Sequence, residues 1–203
     1  MASEKVLDPG KRERILVAAE QVFAQRGFKG ATTREVAQKA GIASSLIFYY
    51  FKNKMALYEA VFQHFFDQLE DLLRRNLSLD LDRLGQLRQF LFTLTDYARD
   101  HRNMIRILLR EIIDNGQIMQ KVAQEYFKPL HEIAVEFFRE GQAEALFREV
   151  DPLHYISSFI GMNLFYFVAE PLFDPLGARD PYCQEEVERR KTELWKVLRS
   201  SLM

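Results

Sequence analysis

The residue types able to do chemistry in this chain point to contact rather than catalysis. Its four histidines (His64, His101, His131, His154) show no paired metal-ligand spacing, and the single cysteine, Cys183, does not accompany them. No metal site is expected. Neither a phosphate-cradling loop, a nucleophile elbow nor a pair of catalytic carboxylates is visible, so neither an enzyme nor a cofactor is expected. The unusual cluster is GIASSLIFYYFKNK, residues 41–54, where four rings in a row (Phe48, Tyr49, Tyr50, Phe51) follow two serines and precede two lysines. Two tyrosines amid charge are out of place in a core, and two phenylalanines are out of place in water. The stretch reads as a surface, half anchored and half presented.

The charge around it says to what. Residues 1–54 carry ten Lys or Arg against five Asp or Glu, a balance of +5 in a chain whose overall charge is −1. A basic first quarter on an acidic body predicts that the N-terminal part meets an anionic partner. One cysteine in 203 residues excludes an internal disulfide framework. The opening MASEKVLDPGKRER lacks an apolar segment and does not read as a secretory signal. The greasiest run, residues 153–172, holds His154, Ser157, Ser158, Asn163 and Glu170, so it reads as a buried helix rather than a membrane span. A cytoplasmic protein without membrane association is the expectation.

Helices must position these residues, since no stretch alternates apolar and polar residues over a strand's length. The fold class expected is all-α. Ile15, Ala18, Ala19, Val22 and Phe23 mark one face of a helix over about 11–26, stopped by Gly27. Thr32 with Glu35 three residues on predicts a capping box and a second helix ending at Gly41. A third covers about 44–51, and Asn53 caps a fourth with Leu57, Val61, Phe65, Leu69 and Leu72 inward. Two short helices joined at a glycine, residues 32–51, make a helix-turn-helix, the motif that lays its second helix in the DNA major groove. At about 100° per residue, Ile47, Tyr50 and Phe51 share the inner face while Ser45 and Tyr49 point the opposite way. Leu46 and Phe48 fall at the edges, and Phe48 is read as a packing residue.

TTREVAQKAG followed by LIFYYFKNKMALYEAV resembles the DNA-binding segment of the tetracycline-repressor (TetR) family of bacterial regulators, over about residues 11–62. The resemblance implies an all-helical homodimer that binds a double-stranded DNA operator and is released by a small-molecule effector. It divides the chain into a DNA-binding domain, 1–53, and an effector-binding and dimerisation domain, 54–203. It places Thr33 on phosphate and Arg34 on a base edge, with guanine the base that its planar fork matches. Ser44, Ser45 and Leu46 would face the major groove, with Leu46 against a thymine methyl. Tyr49, Tyr50 and Lys54 would hold phosphates. Two positions depart from the family pattern: Ala43 stands where a capping serine is usual, and Phe48 where a phosphate-binding tyrosine is usual.

Beyond residue 75 the helices predicted are 81–101, 104–113, 117–140 (kinked or split by Pro129), 152–170 and 182–201. The 152–170 helix is apolar nearly all round and should be covered on every side. The last helix carries a stripe of Val187, Leu194, Val197 or Leu198, and Leu202, with Trp195 beside it. In the family the final two helices form the dimer interface, and this stripe is the expected face. Phe92, Tyr97, Phe127, Phe138, Phe159, Met162 and Phe165 are candidates to line a pocket for a hydrophobic or aromatic effector. Two readings stay open: a ligand-responsive repressor of a palindromic operator, or a DNA-binding adaptor controlled by a protein partner. A preformed cavity in the C-terminal domain would separate them.

Overall fold

The computed structural model describes residues 9–116 and 118–203, and every regular element among them is helical. The all-α expectation holds. The chain forms two compact units. One comprises the residues up to Asp67 together with Arg106–Met119, the other Gln68–Ile105 and Gln120–Met203. The sequence-drawn boundary after residue 53 falls in the loop before α4 (Lys54–Leu77), whereas the compact units divide within α4 itself. The reason is packing. Leu57, Tyr58, Val61, Phe62, Phe65 and Phe66 of α4 are all buried. Tyr58 lies edge-on to Phe23 of α1 at 4.7 Å between centroids.

In the first unit α1 (Pro9–Gly30) buries Ile15, Leu16, Ala18, Ala19, Val22 and Phe23, the apolar stripe read from the sequence. Gly27 takes φ 68°, which interrupts the helix where a stop was expected, and one further turn runs on to Gly30. α2 (Thr33–Ala40) and α3 (Ser44–Tyr50) follow. The end of α6 (Arg102–Ile113), some 50 residues later, folds onto the same unit. Arg110 donates Nη1–H to the Ala24 carbonyl at 2.7 Å, and the Tyr58 hydroxyl donates to Glu111 Oε1 at 2.9 Å. Burial, with the Glu111 carboxylate adding to it, pushes the Tyr58 phenol far above its ordinary value.

The second unit is built around α5 (Arg83–Asp100), α8 (Lys128–Ala143), α9 (Pro152–Val168) and α11 (Gln184–Leu202). Asp82 and Asp151 cap α5 and α9 by accepting from the amides of Gly85 (2.7 Å) and His154 (3.1 Å). Pro129 splits its helix as predicted: α7 (Met119–Val122) gives way to a π-helical stretch, Ala123–Phe127, before α8. Proline lacks an amide donor, and the wider register absorbs the loss. The predicted start at Gln117 lies outside the described residues. Short α10 (Glu170–Phe173) follows α9.

In the second unit one apolar cluster joins Leu87, Phe137, Phe138, Phe147, Ile156 and Leu202, and another Leu91, Phe159, Leu194 and Leu198. The α11 stripe is therefore not a dimer face. Val187, Leu194, Leu198 and Leu202 are each at most 2% exposed within the single chain, while Val197 points outward. α9 was expected to be covered on every side. The chain does not cover it on every side, and Leu153, Phe165 and Val168 stand in solvent. Where α9 meets α5, the wholly buried Asn163 donates from Nδ2 to Thr95 Oγ1 at 3.1 Å, and Thr95 donates to the Leu91 carbonyl at 2.8 Å.

Candidate nucleic-acid interface

Local chemistry sets α2 and α3. Thr32 Oγ1 accepts from the Glu35 amide at 3.2 Å and the Glu35 carboxylate accepts from the Thr32 amide at 2.9 Å, which completes the predicted capping box. Hydrogen bonds from the Thr32 hydroxyl and amide hold the Glu35 carboxyl below its ordinary value. Gly41 ends α2 in the left-handed region at φ 66°, where a side chain would be strained. The Gly41 amide then reaches the Gln38 carbonyl at 3.2 Å and the Ile42 amide the Ala37 carbonyl at 3.0 Å. Ala43 precedes α3 without a side-chain cap, and the Leu46 amide bonds its carbonyl at 2.9 Å instead. Buried Ile47 and Phe51 fasten α3 to the unit, and the Arg12 guanidinium lies 5.7 Å from the centre of the Phe51 ring. At the far end Asn53 Oδ1 accepts from the Ala56 amide at 2.8 Å, the predicted cap of α4.

The face of α3 turned to solvent is Ser44, Ser45, Phe48 and Tyr49. Arg34 on α2 is exposed as well, whereas Thr33, Leu46 and Tyr50 are half-buried. Tyr50 meets the edge of Tyr49 at 5.3 Å and tilts toward Phe51 at 6.5 Å, so it bridges the two faces. Phe48, read from the sequence as a packing residue, is 56% exposed. The seven-residue helix is rolled so that Leu46, and not Phe48, lies at the margin of the presented face. Lys54 is half-buried and turned inward. Its ammonium donates to the carbonyls of Phe28 (2.8 Å) and Ala31 (3.0 Å) and sits 4.5 Å above the Phe28 ring. Two of its three N–H groups are thus committed to the turn after α1, leaving one for an outside anion. The arrangement offers a DNA groove hydroxyls, two exposed rings and one guanidinium on a basic unit.

The family profile described as "Bacterial regulatory proteins, tetR family" matches residues 15–61, and that described as "Tetracyclin repressor-like, C-terminal domain" matches residues 84–197. The chain belongs to the TetR family of bacterial regulatory proteins. It is a DNA-binding transcriptional regulator. Among its relatives is the HTH-type transcriptional repressor NicS of Pseudomonas putida, 32% identical over 145 residues, which are 68% of this chain and 66% of NicS. The HTH-type transcriptional repressor KstR2 of Mycolicibacterium smegmatis is 29% identical over 143 residues, 68% of each chain. The fold is shared with the fatty acid degradation regulator FadR from Bacillus halodurans, at TM-score 0.76 and 21% identity over 96% of this chain and 99% of that one.

In the second unit of this TetR protein the seven candidate pocket residues are spread between two apolar clusters and the surface. Phe138 and Phe159 are core residues of separate clusters, and Phe92 and Met162 pack beside the second. Tyr97 stacks on His101 at 4.0 Å, and Phe127 is half-buried in the π-helical stretch. Phe165 is 67% exposed on the outer side of α9 and lines no interior pocket. A cleft of about 720 Å³ in this domain is bordered by none of the seven. Leu77, Leu81, Ile133, Phe137 and Leu146 are its apolar lining. On its rim Arg83 bonds Glu144 (2.6 Å) and Glu140 (2.9 Å). Among the described residues no helix is long and apolar enough to cross a membrane, and no cluster of His, Cys, Asp and Glu is arranged to hold a metal ion.

Proposed function

We propose that this chain is a ligand-responsive repressor that binds a palindromic operator as a homodimer. The observation that carries the reading is the capped α2–α3 turn with Ser44, Ser45, Phe48 and Tyr49 presented together on a basic unit. Ser44, Ser45 and Tyr49 face the groove, Thr33 and Tyr50 meet the flanking phosphates, and Arg34 takes one base edge. Leu46 supports the groove face from its margin. Lys54 acts first as the tie between α4 and the turn after α1, with its remaining N–H toward a phosphate.

The dimer face we assign is the exposed side of α9, where Leu153, Ser157, Gly161, Phe165 and Val168 recur every three or four residues. Small Ser157 and Gly161 would let a second copy of the helix approach. A two-fold axis there doubles each apolar contact.

The repressor sense is supported by the names of NicS and KstR2, and a hydrophobic effector by the aromatic content of the second unit and the apolar side chains lining its cleft. Titration of hydrophobic compounds with and without operator tests this. An effector that loosens DNA must itself be loosened by DNA by the same factor. Binding indifferent to operator would remove the effector reading and leave control by a protein partner.

A further inference from the structure

We propose that α3 reads its half-site chiefly through thymine methyl groups, with Phe48 as the contacting side chain. This deepens the operator-binding reading and rests on it. The argument begins with what α3 lacks. Its sequence, SSLIFYY, contains no Arg, Lys, Asn, Gln, Asp or Glu. In the major groove a guanine is singled out by a bidentate Arg or Lys, an adenine by Asn or Gln, and a cytosine by a carboxylate. None of these can come from α3. The hydroxyls it presents, on Ser44, Ser45 and Tyr49, both donate and accept, so they satisfy any base edge and select none.

One discriminating feature of the groove remains, the thymine C5-methyl, and it calls for an apolar partner. Phe48 supplies one. It stands 56% exposed and, at about 100° per residue, falls between Ser44 and Ser45 on the presented face. Leu46, the apolar residue first assigned this contact, is half-buried at the margin. A phenyl ring in that position gains nothing from phosphate and gains from leaving water against a methyl group. The basic surroundings bring the polyanion to it. The half-site that fits is a run of T·A pairs opposite α3, with one guanine taken by Arg34 from α2.

The full-length chain is used to enrich duplexes from a random-sequence library, and the enriched duplex is remade with deoxyuridine in place of thymidine. That exchange removes the C5-methyl and leaves every hydrogen-bonding group unchanged. Burying one methyl is worth about a fourfold change in affinity. Since the half-sites repeat across the two-fold axis, replacing a symmetric pair should weaken binding about fifteenfold. Phe48→Ala should bind the thymidine and deoxyuridine duplexes alike, at a melting temperature equal to that of the parent, because its ring is exposed. Equal affinity of the parent chain for the two duplexes overturns the proposal while leaving operator binding intact. So does a Phe48→Ala variant that keeps the difference seen with the parent chain. If no sequence is enriched at all, the operator-binding reading falls and this inference falls with it.

Discussion

Two helices of this protein leave a phenylalanine in water, and they do so in opposite company. On α3, 56%-exposed Phe48 stands among Ser44, Ser45 and Tyr49 on the basic unit. On α9, 67%-exposed Phe165 stands in line with Leu153, Ser157, Gly161 and Val168, a stripe whose one hydrogen-bonding side chain is Ser157. A ring set among hydroxyls suits a partner that is polar with scattered methyl groups. A ring in an apolar stripe suits a surface as dry as itself. The first surface is therefore read as meeting DNA and the second as meeting another copy of α9.

The comparison breaks most sharply at Phe165. Phe165→Glu would place two unpaired carboxylates across the two-fold axis without touching the core of either chain. We expect folded monomers, and a loss of operator affinity of about a thousandfold because one half-site supplies too few contacts. A dimeric mass in sedimentation would refute the α9 face. Leu198→Ala is the matched control on α11. Since Leu198 is 2% exposed in the core of the single chain, the change should cost about 2–5 kcal/mol of folding stability. Chemical denaturation would show it, and an unaltered midpoint with a weakened dimer would return α11 to the interface.

Within the first unit, Arg34 and Lys54 separate contact from support. Arg34→Ala should leave stability unchanged and cost about 1–3 kcal/mol of operator binding, confined to one base pair per half-site. Lys54→Ala should lower the melting temperature, losing its bonds to the Phe28 and Ala31 carbonyls at a cost of about 1–3 kcal/mol. Two variants with the same effect on both readouts would dissolve the distinction.

A smaller effect concerns Glu20 on α1. Burial pushes its carboxyl from 4.5 up to about 7. The folded chain thus keeps a proton there that the unfolded chain has already released. Stability from this group is full below pH 4.5 and is lost as the pH rises through 7. Glu20→Gln should be the more stable protein at pH 8, by about 1–3 kcal/mol, and indistinguishable from the parent at pH 4. Thermal melts at the two pH values decide it, and an advantage of equal size at both would contradict the burial argument.

What the sequence made legible was what depends on near neighbours. The Thr32–Glu35 box, the Gly41 turn and the Asn53 cap each involve residues three or four apart, and all three form as read. Pro129 likewise acts on its own turn. The misreadings share another cause. An apolar stripe says that a helix side is covered and not what covers it, so Leu194 and Leu198 were assigned to a second copy and proved to face Leu91 and Phe159. The roll of α3 depends on Ile47, Phe51 and distant Arg12, and that roll brings Phe48 out and Leu46 in. Arg110 and Glu111 gave no local sign that they fold onto α1 and α4, 86 and 53 residues away. The effector pocket was inferred from aromatic content, which describes a core as well as it describes a cavity.

The central claim, that paired copies of this chain read a two-fold symmetric DNA sequence through α3, is tested most directly by the symmetry and stoichiometry of the duplexes it enriches from a random library. The account predicts inverted-repeat sequences whose half-site centres are a helical turn or a multiple of it apart, about 10 base pairs per turn, bound by whole pairs of chains. It also predicts that Phe165→Glu enriches none of them. Enriched sequences without two-fold symmetry, or a single chain on each bound duplex, would contradict it.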